Sequence, residues 1–234
     1  MKKVLRIWII FISIHTVALA QDRTGDSVPY LSQLLKQNLK KYNALSDDLY
    51  DRGEIEKGEA LFDSLVQHAL VGAQFDDFTF KSVKGRKIKL SKLKRPTFII
   101  TYASWSIIPK GEIAALNKLA KEYQDEIQFI VLFWNQKHHI KKNARHFSSR
   151  IRVCYANERY QNDARAVRTL KHSFGFPTCY YIDEHMQLRG ISRGGLGLPP
   201  KTPLKKALEQ NYALFKGRIE QANSNQENGI ASPN

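Results

Sequence analysis

The chain has 234 residues, 42% of them hydrophobic and 25% charged, which suits one globular domain with attachments and is long enough to bury a full core without staples. Beyond the first twenty residues no segment is apolar enough to span a membrane as a helix. The formal net charge of +15 at pH 7 favours anionic surfaces or partners, although a solubilising basic surface is the plainer reading.

Residues 1–20 read as a secretory signal. Lys2, Lys3 and Arg6 form the positive start, Ile7 to Ile14 the apolar stretch, and Ala18-Leu19-Ala20 the small-residue cleavage site. Cleavage leaves Gln21 as the first residue. A retained anchor is the alternative, but the run is short for a span and is interrupted by His15 and Thr16. Export to the periplasm or cell envelope follows. For such a protein, lipid headgroups or anionic envelope polymers are nearer partners than nucleic acid.

Residues 21–70 form an N-terminal extension. Within it, 27–70 predict a helical hairpin. Leu31, Leu35, Leu39 and Tyr42 share one helix face, and Ile55, Phe62, Leu65 and Ala69 share another. The break runs from Ser46-Asp47-Asp48 to Arg52-Gly53. Residues 76–90 predict a β-hairpin turning at Lys84-Gly85, with Lys87 and Lys89 on its solvent face. The densest basic run, Lys81 to Arg95, falls here and reads as a wet strand.

Phe98 to Tyr102 is a short, branched, apolar strand. Ile113, Leu116, Ala120 and Tyr123 then mark one face of a helix. Between them lies Trp105-Ser106-Ile107-Ile108-Pro109-Lys110. A side chain in this turn sits at a helix N-terminus, where the dipole would stabilise a thiolate. Position 106 is Ser and position 109 is Pro. Ser106 reads as the cap of that helix, and Glu112 as an acid placed to favour its dipole.

Ile127 to Trp134 is an almost unbroken apolar run, the pattern of a parallel strand buried on both faces. A helix over 138–148, a strand at Ile151–Tyr155 and a helix over Asp163–Lys171 follow. Leu188–Arg193 is the last strand. Thr202 and Pro203 open a final helix, 201–221, with Leu204, Leu208, Tyr212, Phe215 and Ile219 as its apolar face. Residues 222–234 are small and polar and read as a disordered tail.

Three marks stand in order along 70–195. Gly72 to Phe78 and Gly85 to Leu93 come first, then Phe98 to Tyr123, then Gly175-Phe176-Pro177-Thr178 leading into Cys179 to Asp183. The chain resembles the thioredoxin superfamily, in particular the exported TlpA/ResA-type thiol-disulfide proteins with a redoxin-type domain. The resemblance implies an α/β thioredoxin fold over 71–200: a central mixed sheet flanked by helices, here with the N-terminal helical hairpin and a long C-terminal helix. It implies a cis Pro177 facing the 105–110 turn, and it aligns the two motif cysteines with Ser106 and Pro109. Ile100 stands where classical thioredoxins carry a buried carboxylate.

Dithiol exchange needs a thiolate to attack and a second thiol to resolve the mixed disulfide. Neither is available at 106 and 109. The leading reading is therefore a protein or peptide binder without dithiol chemistry, using a groove of Trp105, Ser106, Ile107, Ile108, Phe176 and Pro177, and calling for no cofactor and no metal. The rival reading is a thiol redox enzyme working through one cysteine, Cys179. In the family's strand order Cys154 and Cys179 lie three strand spacings apart, about 14 Å, beyond the reach of about 7 Å that a disulfide requires. Both thiols are expected to be free. His138, His139 and His146 lack a carboxylate partner and read as surface residues.

Overall fold

The structure, a computed structural model, describes residues 28–230, with side chains through residue 225. The leader read at residues 1–20 lies outside the described residues.

Helix α1 (Leu31–Asp51) and helix α2 (Ile55–Leu65) form the expected hairpin, and one π-type turn, Val66–Leu70, follows. The break is narrower than the sequence suggests. Helix α1 runs through Ser46 and Asp48, and Gly53 at φ +72° makes the turn alone. Leu31, Leu35 and Tyr42 are buried, whereas Ile55 faces solvent because it opens its helix at the hairpin tip. The start of α1 is tied to the domain from outside: Ser32 donates to Asp76 from its backbone N–H (3.0 Å) and its hydroxyl (2.7 Å). Asp76 thereby serves as a remote N-terminal cap.

Strands β1 (Thr79–Ser82), β2 (Lys87–Lys89), β3 (Thr97–Tyr102), β4 (Gln128–Phe133), β5 (Ile151–Tyr155), β6 (Thr178–Ile182) and β7 (Leu188–Arg193) make one sheet in the order β2-β1-β5-β4-β3-β6-β7. Strands β3, β4 and β5 are parallel, and β1, β2, β6 and β7 join antiparallel. Every residue of β3 and β4 is buried, which is why both read as continuous apolar runs.

Successive residues in a strand face opposite sides, so the sheet divides the core. Ile99, Ile130, Leu132, Cys154, Tyr180 and Ile182 pack with the helical hairpin. Phe98, Ile100, Tyr102, Phe129, Val131 and Tyr181 pack on the other side. That side is covered by helix α3 (Glu112–Glu122), by Ile140 of helix α4 (Lys137–Ala144), and by helix α7 (Leu204–Ile230). The short helices α5 (Ala164–Ala166) and α6 (His172–Phe174) flank a second π-type turn, Val167–Lys171, on the hairpin side. Phe174 meets Tyr42 and Phe62 edge-on at 6.3 and 5.4 Å. Each fully buried Leu or Phe contributes about 2 kcal/mol of transfer free energy, and that burial holds a hairpin whose helices are marginal alone.

Two sequence readings of the last helix need correction. It does not end at 221: Ala222 is buried against the core and Asn225 donates to the Arg189 carbonyl (3.1 Å), so the helix has partners well into the stretch read as a disordered tail. Its buried stripe is Ala207, Asn211, Phe215 and Ile219, whereas Leu204 is exposed. The stripe turns because α7 docks backbone-close on α3 at a small residue, Gly111.

Candidate functional site

The turn from β3 into α3 is not helical until Glu112. Ile107 and Ile108 are β-branched, and Pro109 biases residue 108 away from helical dihedrals. Gly111, at φ +83°, then sets the helix start. Ser106 is therefore not the cap the sequence suggested. Its hydroxyl turns back, donating to the Ala103 carbonyl (2.7 Å) and accepting from the Ala103 N–H (3.3 Å). The positive end of the helix dipole lies past Pro109, displaced from position 106.

The groove residues come together. The Phe176–Pro177 peptide is cis. The Trp105 ring stands edge-on to Phe176 at 5.3 Å. Trp105 is 75% exposed and Ile107 94% exposed, so the N-terminal hairpin does not cover this surface. Ile108, Pro109, Phe176 and Pro177 are half-buried around them. The Phe176 backbone makes no hydrogen bond among the described residues. The neighbouring strand is fixed: Thr101 Oγ1 accepts from the Thr178 N–H (3.1 Å) and donates to its carbonyl (3.2 Å).

The sequence reading missed what lies beneath. Glu112 is not a solvated acid at a helix end but is fully buried. The Tyr102 hydroxyl donates to its Oε1, while Oε2 has no hydrogen-bond partner among the described residues. Oε2 lies beside Gly195, at a spot where a Cβ on that residue would be only 2.6 Å away. Burial pushes the Glu112 carboxyl up from 4.5 to about 7, against the opposing pull of Tyr102, the Gly195 backbone and Arg218. Burial, and then Glu112 itself, hold the Tyr102 phenol well above its usual range. Asn211 of α7 closes the cluster. Its Nδ2 donates to the Ala207 and Lys110 carbonyls, and its Oδ1 accepts from the Leu196 N–H. The signal was present in the sequence: position 112 lies on the same helical stripe as Leu116 and Leu119, which face the core.

Cys154 and Cys179 are free and fully buried, on β5 and β6 with β4 and β3 between them. Burial pushes the Cys154 thiol up to about 12 and the Cys179 thiol up as well. Cys179 Sγ faces the Arg193 carbonyl at 3.6 Å, inside the sheet and away from the groove surface. A buried, protonated thiol is a small core hydrophobe rather than a nucleophile.

A parallel β3–α3–β4 unit continued by the antiparallel β6–β7 pair and a closing helix, with a cis proline before β6, defines the thioredoxin fold. The chain belongs to the AhpC/TSA family, whose model matches residues 71–191. It is 25% identical over 144 residues to the thioredoxin-like protein YneN of Bacillus subtilis (strain 168), covering 61% of this chain and 79% of that protein. It is similar to a solved structure from Chlorobium tepidum assigned as the thiol:disulfide interchange protein DsbE, with 18% identity, coverage of 66% and 99%, and a TM-score of 0.49. The structure of StoA from Bacillus subtilis shows 14% identity, coverage of 58% and 96%, and a TM-score of 0.40. No helix among the described residues is long and apolar enough to cross a membrane.

Proposed function

We propose that this AhpC/TSA-family protein binds an extended protein or peptide segment in the groove beside Pro177 and performs no dithiol exchange there. The single observation behind this is the conjunction at the turn: Trp105 and Ile107 exposed beside Phe176, with Ser106 and Pro109 where the chemistry would sit. Exposed aromatic and branched side chains clustered next to free backbone groups suit strand addition, in which backbone pairing gives affinity and the side chains give selectivity. The unpaired Phe176 backbone supplies the pairing groups. The basic start, apolar stretch and small-residue site within residues 1–20 support placing this activity in the cell envelope after export.

The reading through a lone Cys179 is disfavoured by burial of that thiol and its raised pKa. Two measurements decide between them. The wild-type chain is expected to leave insulin disulfides intact, whereas Ser106→Cys/Pro109→Cys is expected to reduce them. Carboxymethylated insulin B chain, which carries no free thiol, is expected to bind the wild type and to lose about tenfold in affinity for Ile107→Asp. Reduction of insulin by the wild type, abolished in Cys179→Ser, would overturn the proposal.

A further inference from the structure

The β1–β2 turn carries a second feature, unrelated to the Pro177 groove. Strand β1 pairs with β5 at Lys81↔Tyr155 and Ser82↔Cys154, Val83 still donates its N–H to the Val153 carbonyl (3.0 Å), and the chain then turns away. The first residues of β5 lack that neighbour, and a notch opens between residues 82–88 and 144–153. It is a semi-enclosed cavity of about 500 Å³, within the range of small-molecule sites. Val83, Ile88, Phe147 and Val153 supply apolar lining. Lys84, Arg86, Lys87 and Arg152 line it as well, and no Asp or Glu does. Among the described residues none of these four cations forms an ion pair, although Lys81 and Lys89 alongside them both do. All four are solvent-exposed, and together they concentrate positive charge around an apolar-lined hollow, a field that attracts an anion.

We propose that this notch is a binding site for one small organic anion that carries a phosphate, sulfonate or carboxylate head on an aryl or short alkyl body. The cations hold the head, and Val83, Phe147 and Val153 bury the body. Other anionic partners fit less well. A single-stranded nucleic-acid track uses exposed aromatic platforms, and Phe147, the one aromatic residue lining the notch, is itself buried. A membrane surface needs apolar tips that protrude around the cations. Among the described residues the large exposed hydrophobic side chains, Trp105 and Ile107 among them, lie elsewhere.

The test uses 8-anilinonaphthalene-1-sulfonate, an aryl sulfonate that fluoresces when its rings leave water, titrated into the full chain. One molecule per chain is expected, displaced by phenyl phosphate at lower concentration than by inorganic phosphate. Arg86→Glu/Lys87→Glu is expected to weaken binding at least tenfold. Lys205→Glu/Lys206→Glu, which changes net charge equally on exposed positions of α7, is expected to change it less than twofold. Lys84→Gln/Arg152→Gln provides a second variant pair in case the charge reversal disturbs folding, and it should lose affinity in the same sense. Equal losses in the two charge-reversed proteins would overturn the site in favour of a diffuse field. So would equal competition by phenyl and inorganic phosphate, or loss of the probe with Ile107→Ser, which would place it in the Pro177 groove. Binding to phosphatidylglycerol vesicles that phenyl phosphate does not displace would assign the charge to a lipid surface and overturn it too.

Discussion

Gly111→Ala is expected to lower unfolding stability by about 4 kcal/mol. Two separate costs add. The residue sits at φ +83°, a conformation that costs an L side chain about 1–2 kcal/mol. A Cβ built there would also lie 2.5 Å from both the Ala207 carbonyl carbon and the Leu208 nitrogen. That neighbour is helix backbone, which cannot swing aside as a side chain can, so α7 must lift from α3 or the turn must rebuild. Gly53→Ala is the matched control. It has φ +72° with nothing within 4 Å of its Cβ, so it carries only the dihedral cost. Urea midpoints of the two variants check this. Equal shifts would mean that the close approach of the two helices contributes nothing.

Glu112→Gln is expected to stabilise the protein at pH 8 and to flatten its stability between about pH 4.5 and 7. An unfolded chain releases this proton near 4.5, and the folded chain near 7. Between those values the folded state holds the extra proton. The contribution is fully present below 4.5 and is lost as pH rises through 7. Linkage gives about 3 kcal/mol for the whole span. Glutamine keeps an oxygen for the Tyr102 hydroxyl and carries no charge to desolvate. Urea unfolding of both proteins from pH 4.5 to 8 checks it. Parallel curves would show that Glu112 titrates normally and that its burial costs nothing.

The sheet was legible in the sequence because its inner strands are buried on both sides. A residue such as Ile99 or Val131 has no solvent face to make room for a polar neighbour, so the apolar run survives intact. Marks around Trp105 and Pro177 were legible from local residue order, and the structure brings Trp105 against Phe176. What was not legible depended on partners far along the chain. The stripe it shares with Leu116 and Leu119 marks Glu112 as inward-facing, but its unpaired carboxyl oxygen shows only once Tyr102, Gly195 and Asn211 close over it. The start of α3 was misplaced because Pro109 suits a helix start as well as a break. Gly111, with its tight contact on α7, decides the matter. The buried stripe of α7 was misread because Ala207 and Asn211 are weak hydrophobic signals. They face inward to allow close docking and to serve two carbonyls and an N–H.

The family match, 71–191, does not contain the whole core. Phe215 and Ile219 lie beyond it and fill the core on one side of the sheet, while Leu31, Leu35 and Phe62 precede it and fill the other. Leu31 donates to the Gln74 carbonyl (2.8 Å), so the extension is tied by main chain to the first residues of the matched segment, where Gly72 in turn donates to the Leu188 carbonyl (2.8 Å). A fragment cut at the family boundaries would expose both faces of its sheet and would leave Glu112 with its lid removed. In this protein the segments outside the family match are walls of the domain.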